Sequence, residues 1–558
     1  MDVWSLIYNL LGTHGDVLSL MYTCERLYAT GIPALLGLPV SLTDIPELKS
    51  FCDFVLADDG RRPGLVCKLR VAIELPRLGD GDQGSEDNGE LHRLIPDFAR
   101  VLAGTSRLEL AIGFAEELLQ RGDVAVARGI CPPDLRLSDV LASLHSVTDL
   151  KVASYGPLTA SLLRTMSSRP AGVDIKFYDA VRRGDPNTYH NFCEALSSHQ
   201  DTLRWVRVWD AQMGGPLSRP QPDAPRFSLV RHLMLVKVLW PSLPVLLHSF
   251  PDLQLLDITC PSRMPISLDN EVKQAREVNL AAPSDTSWPS FQLLAGDLYA
   301  LYVLGVRGSI WRMEIGQLDV CDVCVEMLEA VLEDLSPSHL CLHVGYTDGR
   351  VPIDHQTNLV VLLQQVSRPL EITHLQLNVR RDILVTAGLE EERLNLVRNS
   401  THCADDFLPL TTANIQGLIG EAILPFARLR NFMLYVSRDE DMILHQETLV
   451  TCDQLSRYAL RIAMAQPELE FLHIDAYFAE NCAWTVERTP TSTTLVRMQS
   501  ASEFRDRLVR EDLLPVRRPR HTRPTRFVAD WAGTDEYGFD DREQRNLAPP
   551  YTIANMCL

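Results

Sequence analysis

The chain has 558 residues, 46% hydrophobic and 23% charged, a globular composition that excludes a disordered protein and allows several domains or one extended repeat array. The 53 Lys and Arg against 73 Asp and Glu give a formal charge of −20, which argues against a whole-chain electrostatic footprint for nucleic acid. No stretch reaches about 18 uninterrupted apolar residues, so no membrane span is expected. The opening MDVWSLIYNLLGTHGDVLSLMY lacks the basic n-region of a signal peptide. The 13 scattered cysteines suit reduced core thiols in the cytoplasm or nucleus.

Residues 1–40 read as a small three-helix unit. Val3, Leu6, Ile7, Leu10 and Leu11 share one helix face. Gly12 and Gly15 break that helix, and Asp16 is placed to cap a second one carrying Val17, Leu20, Met21, Cys24, Leu27 and Tyr28. Gly31 stops the second helix, and Pro33 opens a short third one through Leu36. A unit this small buries too little surface to stand alone, so its apolar faces need a partner or the rest of the chain.

The run Asp16-Val17-Leu18-Ser19-Leu20-Met21-Tyr22-Thr23-Cys24-Glu25-Arg26-Leu27-Tyr28 resembles the core of F-box and F-box-like domains. The continuation Ile32-Pro33-Ala34-Leu35-Leu36, then Leu38-Pro39-Val40-Ser41-Leu42, is similar to the exit segment of fungal F-box-like proteins. Members usually carry a Leu-Pro segment before the first helix, where this chain has Met1-Asp2-Val3. The resemblance implies a non-enzymatic substrate-recognition subunit of a cullin–RING ubiquitin ligase. Val3, Ile7, Leu10, Val17, Leu20 and Leu27 would then serve docking on the ligase adaptor protein, and the rest of the chain would hold a protein substrate.

Residues 41–100 are expected to connect this unit to the next, with a mobile acidic loop over 79–90. Gly79-x-Gly81-x-x-Gly84 within it matches a dinucleotide fingerprint as a string, but Asp80 and Asp82 would repel a pyrophosphate. It fails as a calcium loop because Ser85 stands where the turn needs glycine.

Over residues 101–500 the pattern apolar-x-x-apolar-x-apolar recurs. It appears at Val147/Leu150/Val152, Leu203/Val206/Val208, Val230/Leu233/Leu235 and Leu253/Leu256/Ile258. It continues at Ile310/Met313/Ile315, Ile372/Leu375/Leu377, Leu429/Phe432/Leu434 and Leu469/Leu472/Ile474, with a weaker copy at Ser338–Leu342. Between copies lie helix-period faces such as Phe291, Leu294, Leu298, Leu301 and Tyr302, and Val320, Val323, Cys324, Met327, Leu328 and Val331. The reading is an α/β fold: an irregular leucine-rich-repeat solenoid with parallel strands on its concave face and helices outside. Pro261 and Arg380 replace the Asn or Cys that usually closes the motif. Residues 501–558, with the basic run Arg517–Arg526, read as an irregular tail.

Catalytic and metal motifs are missing: there is no H-E-x-x-H, G-x-S-x-G or P-loop. Cys321-x-x-Cys324 falls on a helix without a second pair at zinc spacing, and reads as buried thiols. His339, Cys341 and His343 share a strand face, where side chains project in parallel rather than converge on a metal. No cofactor or metal is therefore expected. Recognition is expected on the concave face, where residues alternate with the core positions. It centres on Arg207, Trp209, Asp257, Glu314, Gln376 and Tyr435, aromatic and charged groups of the kind enriched at interface hot spots. A repeat scaffold without a ligase role is the second reading, and a hydrolase or transferase with an unrecognised site the third.

Overall fold

The computed structural model describes residues 7, 8, 11, 13–57, 61–73, 86–106, 108–153, 156–177, 192–211, 213, 223–238, 240–260, 270–282, 288, 289, 291–318, 322–344, 371–380, 426–437, 452–476, 482–490, 492–498 and 507. They fall into two compact units: one runs through residue 238 and includes Val245–Leu253, the other takes Trp240–Pro244 and continues from Gln254. No helix among the described residues is long and apolar enough to cross a membrane.

The first unit runs α1 (His14–Met21), α2 (Glu25–Gly37), β1 (Val40–Leu42), α3 (Ile45–Leu56), β2 (Lys68–Val71), α4 (Glu86–Ala103) and β3 (Leu108–Ile112). It continues with α5 (Ala115–Ala127), α6 (Leu137–Ser143), β4 (Val147–Ala153), α7 (Pro157–Thr165), β5 (Gly172–Lys176), α8 (Phe192–Ala195), β6 (Trp205–Trp209) and β7 (His232–Val236). Strands β1 to β7 pair in parallel, each with its neighbours in chain order. Parallel pairing of successive strands needs crossover connections, and helices supply them from β1 through β6.

The second unit runs β8 (Leu255–Ile258), α9 (Asn270–Leu280), β9 (Leu293–Asp297), α10 (Leu298–Leu304), β10 (Gly308–Leu318), α11 (Asp322–Asp334) and β11 (Leu335–Val344). After these come β12 (His374–Arg380), β13 (Asn431–Ser437), α12 (Cys452–Ala465), β14 (Phe471–Ala476), β15 (Cys482–Thr489) and β16 (Ser492–Arg497). Strands β8 to β14 are again parallel in chain order. The antiparallel strands β15 and β16 then follow β14.

The apolar positions of the recurring pattern line up across the strands. In the first unit Leu69, Leu110, Leu150, Val173, Val206 and Leu233 stand in register. In the second, Leu256, Leu294, Met313, Leu340, Leu375, Phe432 and Leu472 do the same. All are at most 2% exposed. A second buried row, two residues on, runs from Val71 through Ile112, Val152, Ile175 and Val208 to Leu235. The opening apolar residues, such as Leu203, Leu253 and Leu429, are buried as well. These rows form the core, because period-two alternation sends all of them to one face of the sheet.

Carboxylates close the helix starts, both across segments and locally. The Glu116 carboxylate accepts from the backbone N–H of Leu158 (3.1 Å) and Thr159 (2.9 Å) and from the Thr159 hydroxyl, capping α7. Asp44 caps α3 by accepting from Glu47 N, while Glu47 accepts in return from Thr43 N, both at 2.7 Å.

Several boundaries differ from the sequence expectations. Thr13 rather than Asp16 caps α1, and the second helix is interrupted between Met21 and Glu25. Gly31 and Pro33 lie inside the continuous helix α2. Gly31 serves close approach instead of a stop: a Cβ there would meet Met21 Cγ at 2.3 Å and the Tyr8 hydroxyl at 2.9 Å. Residues 41–100 contribute β1 and β2 to the sheet, so the strand series begins at Val40. Glu86–Glu90, expected within a mobile loop, begins α4, while 79–85 lies outside the described residues. Leu294, placed on a helix face from its spacing, belongs to strand β9, and only Leu298, Leu301 and Tyr302 are helical. The cysteines are not all reduced: Cys482 is disulfide-bonded, while Cys52, Cys131, Cys193, Cys260, Cys324 and Cys341 are buried thiols outside any disulfide. Cys321 and the Arg517–Arg526 run lie outside the described residues.

Candidate partner-binding surfaces

Between the two core rows each strand has one residue aimed at the opposite face. In the first unit this row reads Ser41, Arg70, Ala111, Lys151, Asp174, Arg207 and Met234, in register on β1 to β7. Its members are half-buried or exposed. Arg207 and Trp209 converge on Asp174 of the neighbouring strand. The indole N–H of Trp209 donates to Asp174 Oδ1 at 2.8 Å, and Arg207 Nη1 lies 3.8 Å from Oδ2. The Arg207 guanidinium sits 4.2 Å over the Trp209 ring, and the Lys176 ammonium lies 5.9 Å from the same ring. Burial pushes the Asp174 carboxyl up from its ordinary value, opposed in turn by Arg207, Lys151, the Trp209 hydrogen bond and Lys176. The Trp205 indole packs against Gly172, where a Cβ would fall 1.8 Å from it. Strand β6 thus offers Trp205, Arg207 and Trp209 on one face.

The corresponding row of the second unit reads Asp257, Ala295, Glu314, Cys341, Gln376, Met433 and His473. Asp257, Ala295, Cys341, Met433 and His473 are buried. Beside it runs Arg312, His339, His374 and Asn431. Arg312 Nη2 pairs with Glu314 at 2.6 Å. His339 and His374 stack, and the Asn431 amide donates to His374 Nε2 at 2.6 Å. Burial, followed by the neighbouring His339, lowers His374 to about 3. Tyr435 meets His473 edge-on at 5.2 Å, and burial, followed by Asp475, raises its phenol to about 12.

Cys341 Sγ lies 3.5 Å from His343 Nε2, a pairing that invites a thiol–imidazole reading. The Asn378 amide nitrogen stands 3.3 Å from the sulfur and 3.3 Å from the same ring nitrogen, so it competes for the position a thiol proton would need. Gln376 holds Asn378 Oδ1 at 3.2 Å. The arrangement is a hydrogen-bonded ladder from Cys341 and His343 through Asn378 to Gln376. Among the described residues no His, Cys, Asp and Glu side chains group as a metal site.

The residues expected to bind a partner therefore divide. Arg207 and Trp209 come together, Glu314 is tied to Arg312, Gln376 to Asn378, and Tyr435 packs on His473. Asp257 is 6% exposed, so its side chain lies inside the second unit instead of on an open face. The sequence reasoning missed Asp174 and Trp205, and also His374 and Asn431. Val173-Asp174-Ile175 carried the alternation that marks a strand, but Pro170 occupies the opening apolar slot.

In the N-terminal helices Val17 and Leu27 are buried in the unit's own packing, with Leu27 O accepting from the Tyr8 hydroxyl at 2.7 Å. Both are covered by the unit's own packing, so the adaptor contact expected of them would require that packing to open. Ile7 and Leu20 are half-buried, Tyr22 between the helices is 64% exposed, and Val3 and Leu10 lie outside the described residues. No family model matches this chain, and no curated protein matches it.

Proposed function

We propose that the chain is a recognition subunit: an F-box-like N-terminal unit docks on the adaptor of a cullin–RING ubiquitin ligase, and an irregular leucine-rich-repeat array holds a protein substrate. It works in the cytoplasm or nucleus, uses no cofactor and carries out no catalysis of its own. The observation that carries this reading is the stacking of parallel strands in chain order, each adding one residue to a shared outer row. Side chains from distant parts of the sequence thereby become neighbours on one surface, as a protein-recognition array requires. The half-buried row around Arg207 and Trp209 supports binding at that surface, since arginine and tryptophan dominate interface hot spots.

The second reading, a repeat scaffold with no ligase role, is favoured by the burial of Val17 and Leu27. Co-purification separates the two. The full chain is expressed with the ligase adaptor, beside a variant carrying Ile7→Asp and Leu20→Asp at the half-buried positions. Adaptor recovered with the parent chain and lost with the variant, at unchanged melting temperature, supports the ligase reading. No recovery with either leaves the scaffold.

A further inference from the structure

The outer face of strands β2 to β6 carries cations out of proportion to an acidic chain. Lys68, Arg70, Lys151, Lys176 and Arg207 point to this face, alternating with the core rows, in a chain of formal charge −20. Among the outward carboxylates on these strands, Glu109 is paired with Lys68 at 2.9 Å and Asp174 receives Trp209 and Arg207, leaving Asp149. These strands thus carry five outward cations against three outward carboxylates, and an anionic partner is the complement.

The cations also have a period. In the central row Arg70, Lys151 and Arg207 sit on β2, β4 and β6, with Ala111 and Asp174 on the strands between. Adjacent strands lie about 4.8 Å apart, so these positions step by about 9.6 Å across the sheet. A polyproline II peptide turns once in three residues at about 3.1 Å each, returning to the same side every 9.3 Å or so. A β-type peptide returns to the same side every second residue, at about 6.8 Å, and misses the cations. Trp205 and Trp209 flank Arg207 on the same face, giving indole surface of the kind that receives proline rings.

Building on the recognition reading above, we propose that the outer face of β2–β6 binds an extended acidic segment of a partner protein in the polyproline II conformation. Carboxylates three residues apart lie on Arg70, Lys151 and Arg207, and proline rings lie against Trp205 and Trp209. Lys176 adds positive potential at the Trp209 end. Arg207 keeps its long contact to Asp174 beneath the ligand.

The test is fluorescence anisotropy with the full chain and a labelled peptide of four Glu-Pro-Pro repeats. A six-repeat Glu-Pro peptide has the same length and more negative charge, but the wrong period. The expected result is binding of the Glu-Pro-Pro peptide about tenfold tighter than the Glu-Pro peptide, weakened by salt. Lys151→Glu should weaken it by a further tenfold or so, and Lys151→Arg should retain it, with melting curves unchanged. Equal affinity for the two peptides, insensitivity to Lys151→Glu, or tighter binding of a single-stranded oligonucleotide would overturn the proposal. Adaptor binding runs through the N-terminal helices and is read separately. A chain that binds adaptor but not the peptide sinks this proposal alone, and one that binds the peptide but not the adaptor removes only the ligase role.

Discussion

His339 and His374 stack face to face on β11 and β12, with ring centroids 3.8 Å apart and planes 11° from parallel. Each follows a hydroxyl residue that reaches its own Nδ1: Ser338 Oγ at 2.9 Å and Thr373 Oγ1 at 2.8 Å. Asn431 donates to His374 Nε2, so the neutral ring carries its proton on Nδ1. The stack is one rung of a polar ladder on the side of the sheet opposite the apolar rows, where burial and then the neighbouring His339 disfavour a charge on His374.

The folded pKa of His374, about 3, lies below its ordinary value of 6.5. The unfolded chain therefore takes up this proton first as pH falls. The neutral ring contributes stability that is present above about pH 6.5 and is lost progressively toward pH 3. In a selectively labelled sample the His374 imidazole resonance should stay unchanged from pH 7.5 to 5. A midpoint near its ordinary value would contradict the buried, neutral stack.

Asp297 acts in the opposite direction. It caps α10 by accepting from Ala300 N at 2.7 Å, and its other oxygen accepts from Cys260 N, just beyond β8, at 2.5 Å. Burial raises its carboxyl to about 6 even so, with nearby Asp257 adding to the shift. The folded protein holds this proton where the unfolded chain has lost it, so the contribution is present below about pH 4 and lost as pH rises through about 6. Asp297→Asn should remove roughly 2–3 kcal/mol of pH-dependent stability across that window. Denaturant midpoints of the variant and parent at several pH values give this as a difference, which isolates it from the opposing His374 term. Parallel curves would contradict the raised carboxyl.

Two glycines set close approaches on these sheets. Gly296 stands where the second core row would place a branched side chain, and a Cβ there would lie 2.1 Å from the Ile258 carbonyl oxygen. Gly296→Ala should cost about 1–3 kcal/mol, because backbone has to move. Gly172→Ala should leave the fold standing but displace the Trp205 indole, shifting tryptophan emission. An unshifted spectrum would mean that Trp205 does not rest on β5.

Core and cap positions give quantitative checks. Leu256, fully buried between the neighbouring apolar positions, should cost about 2–5 kcal/mol as Leu256→Ala. Glu116→Ala removes three hydrogen bonds at the start of α7 and should cost about 1–3 kcal/mol in thermal or denaturant melts. A near-neutral Glu116→Ala would show that water replaces the cap.

The core rows were legible because they are local: one apolar triplet defines a strand whatever its neighbours are. Leu150, Val206, Leu233, Met313 and Leu472 were found in that way, and each is buried in its row. Val66-x-x-Leu69-x-Val71 is a complete copy that lay in a segment read as a connection. Strands β5 and β9 escaped because Pro170 and Gly296 occupy apolar slots of the pattern. The outer-face partners were beyond local reading. Asp174 meets Trp209 across 35 residues and Asn431 meets His374 across 57, distances fixed by the register and not by any nearby residue. Helix ends were misplaced where tertiary contact overrides propensity, as at Gly31, whose missing side chain admits Met21 and Tyr8.

The most direct test of the whole account is a calorimetric titration of the purified ligase adaptor into the full chain and into the variant carrying Ile7→Asp and Leu20→Asp. The account predicts a saturable one-to-one complex with the parent chain and at least a tenfold loss with the variant, about 1.4 kcal/mol or more, at an unchanged melting temperature. No heat of binding to the correctly folded parent chain, or equal affinity in the variant, would contradict it.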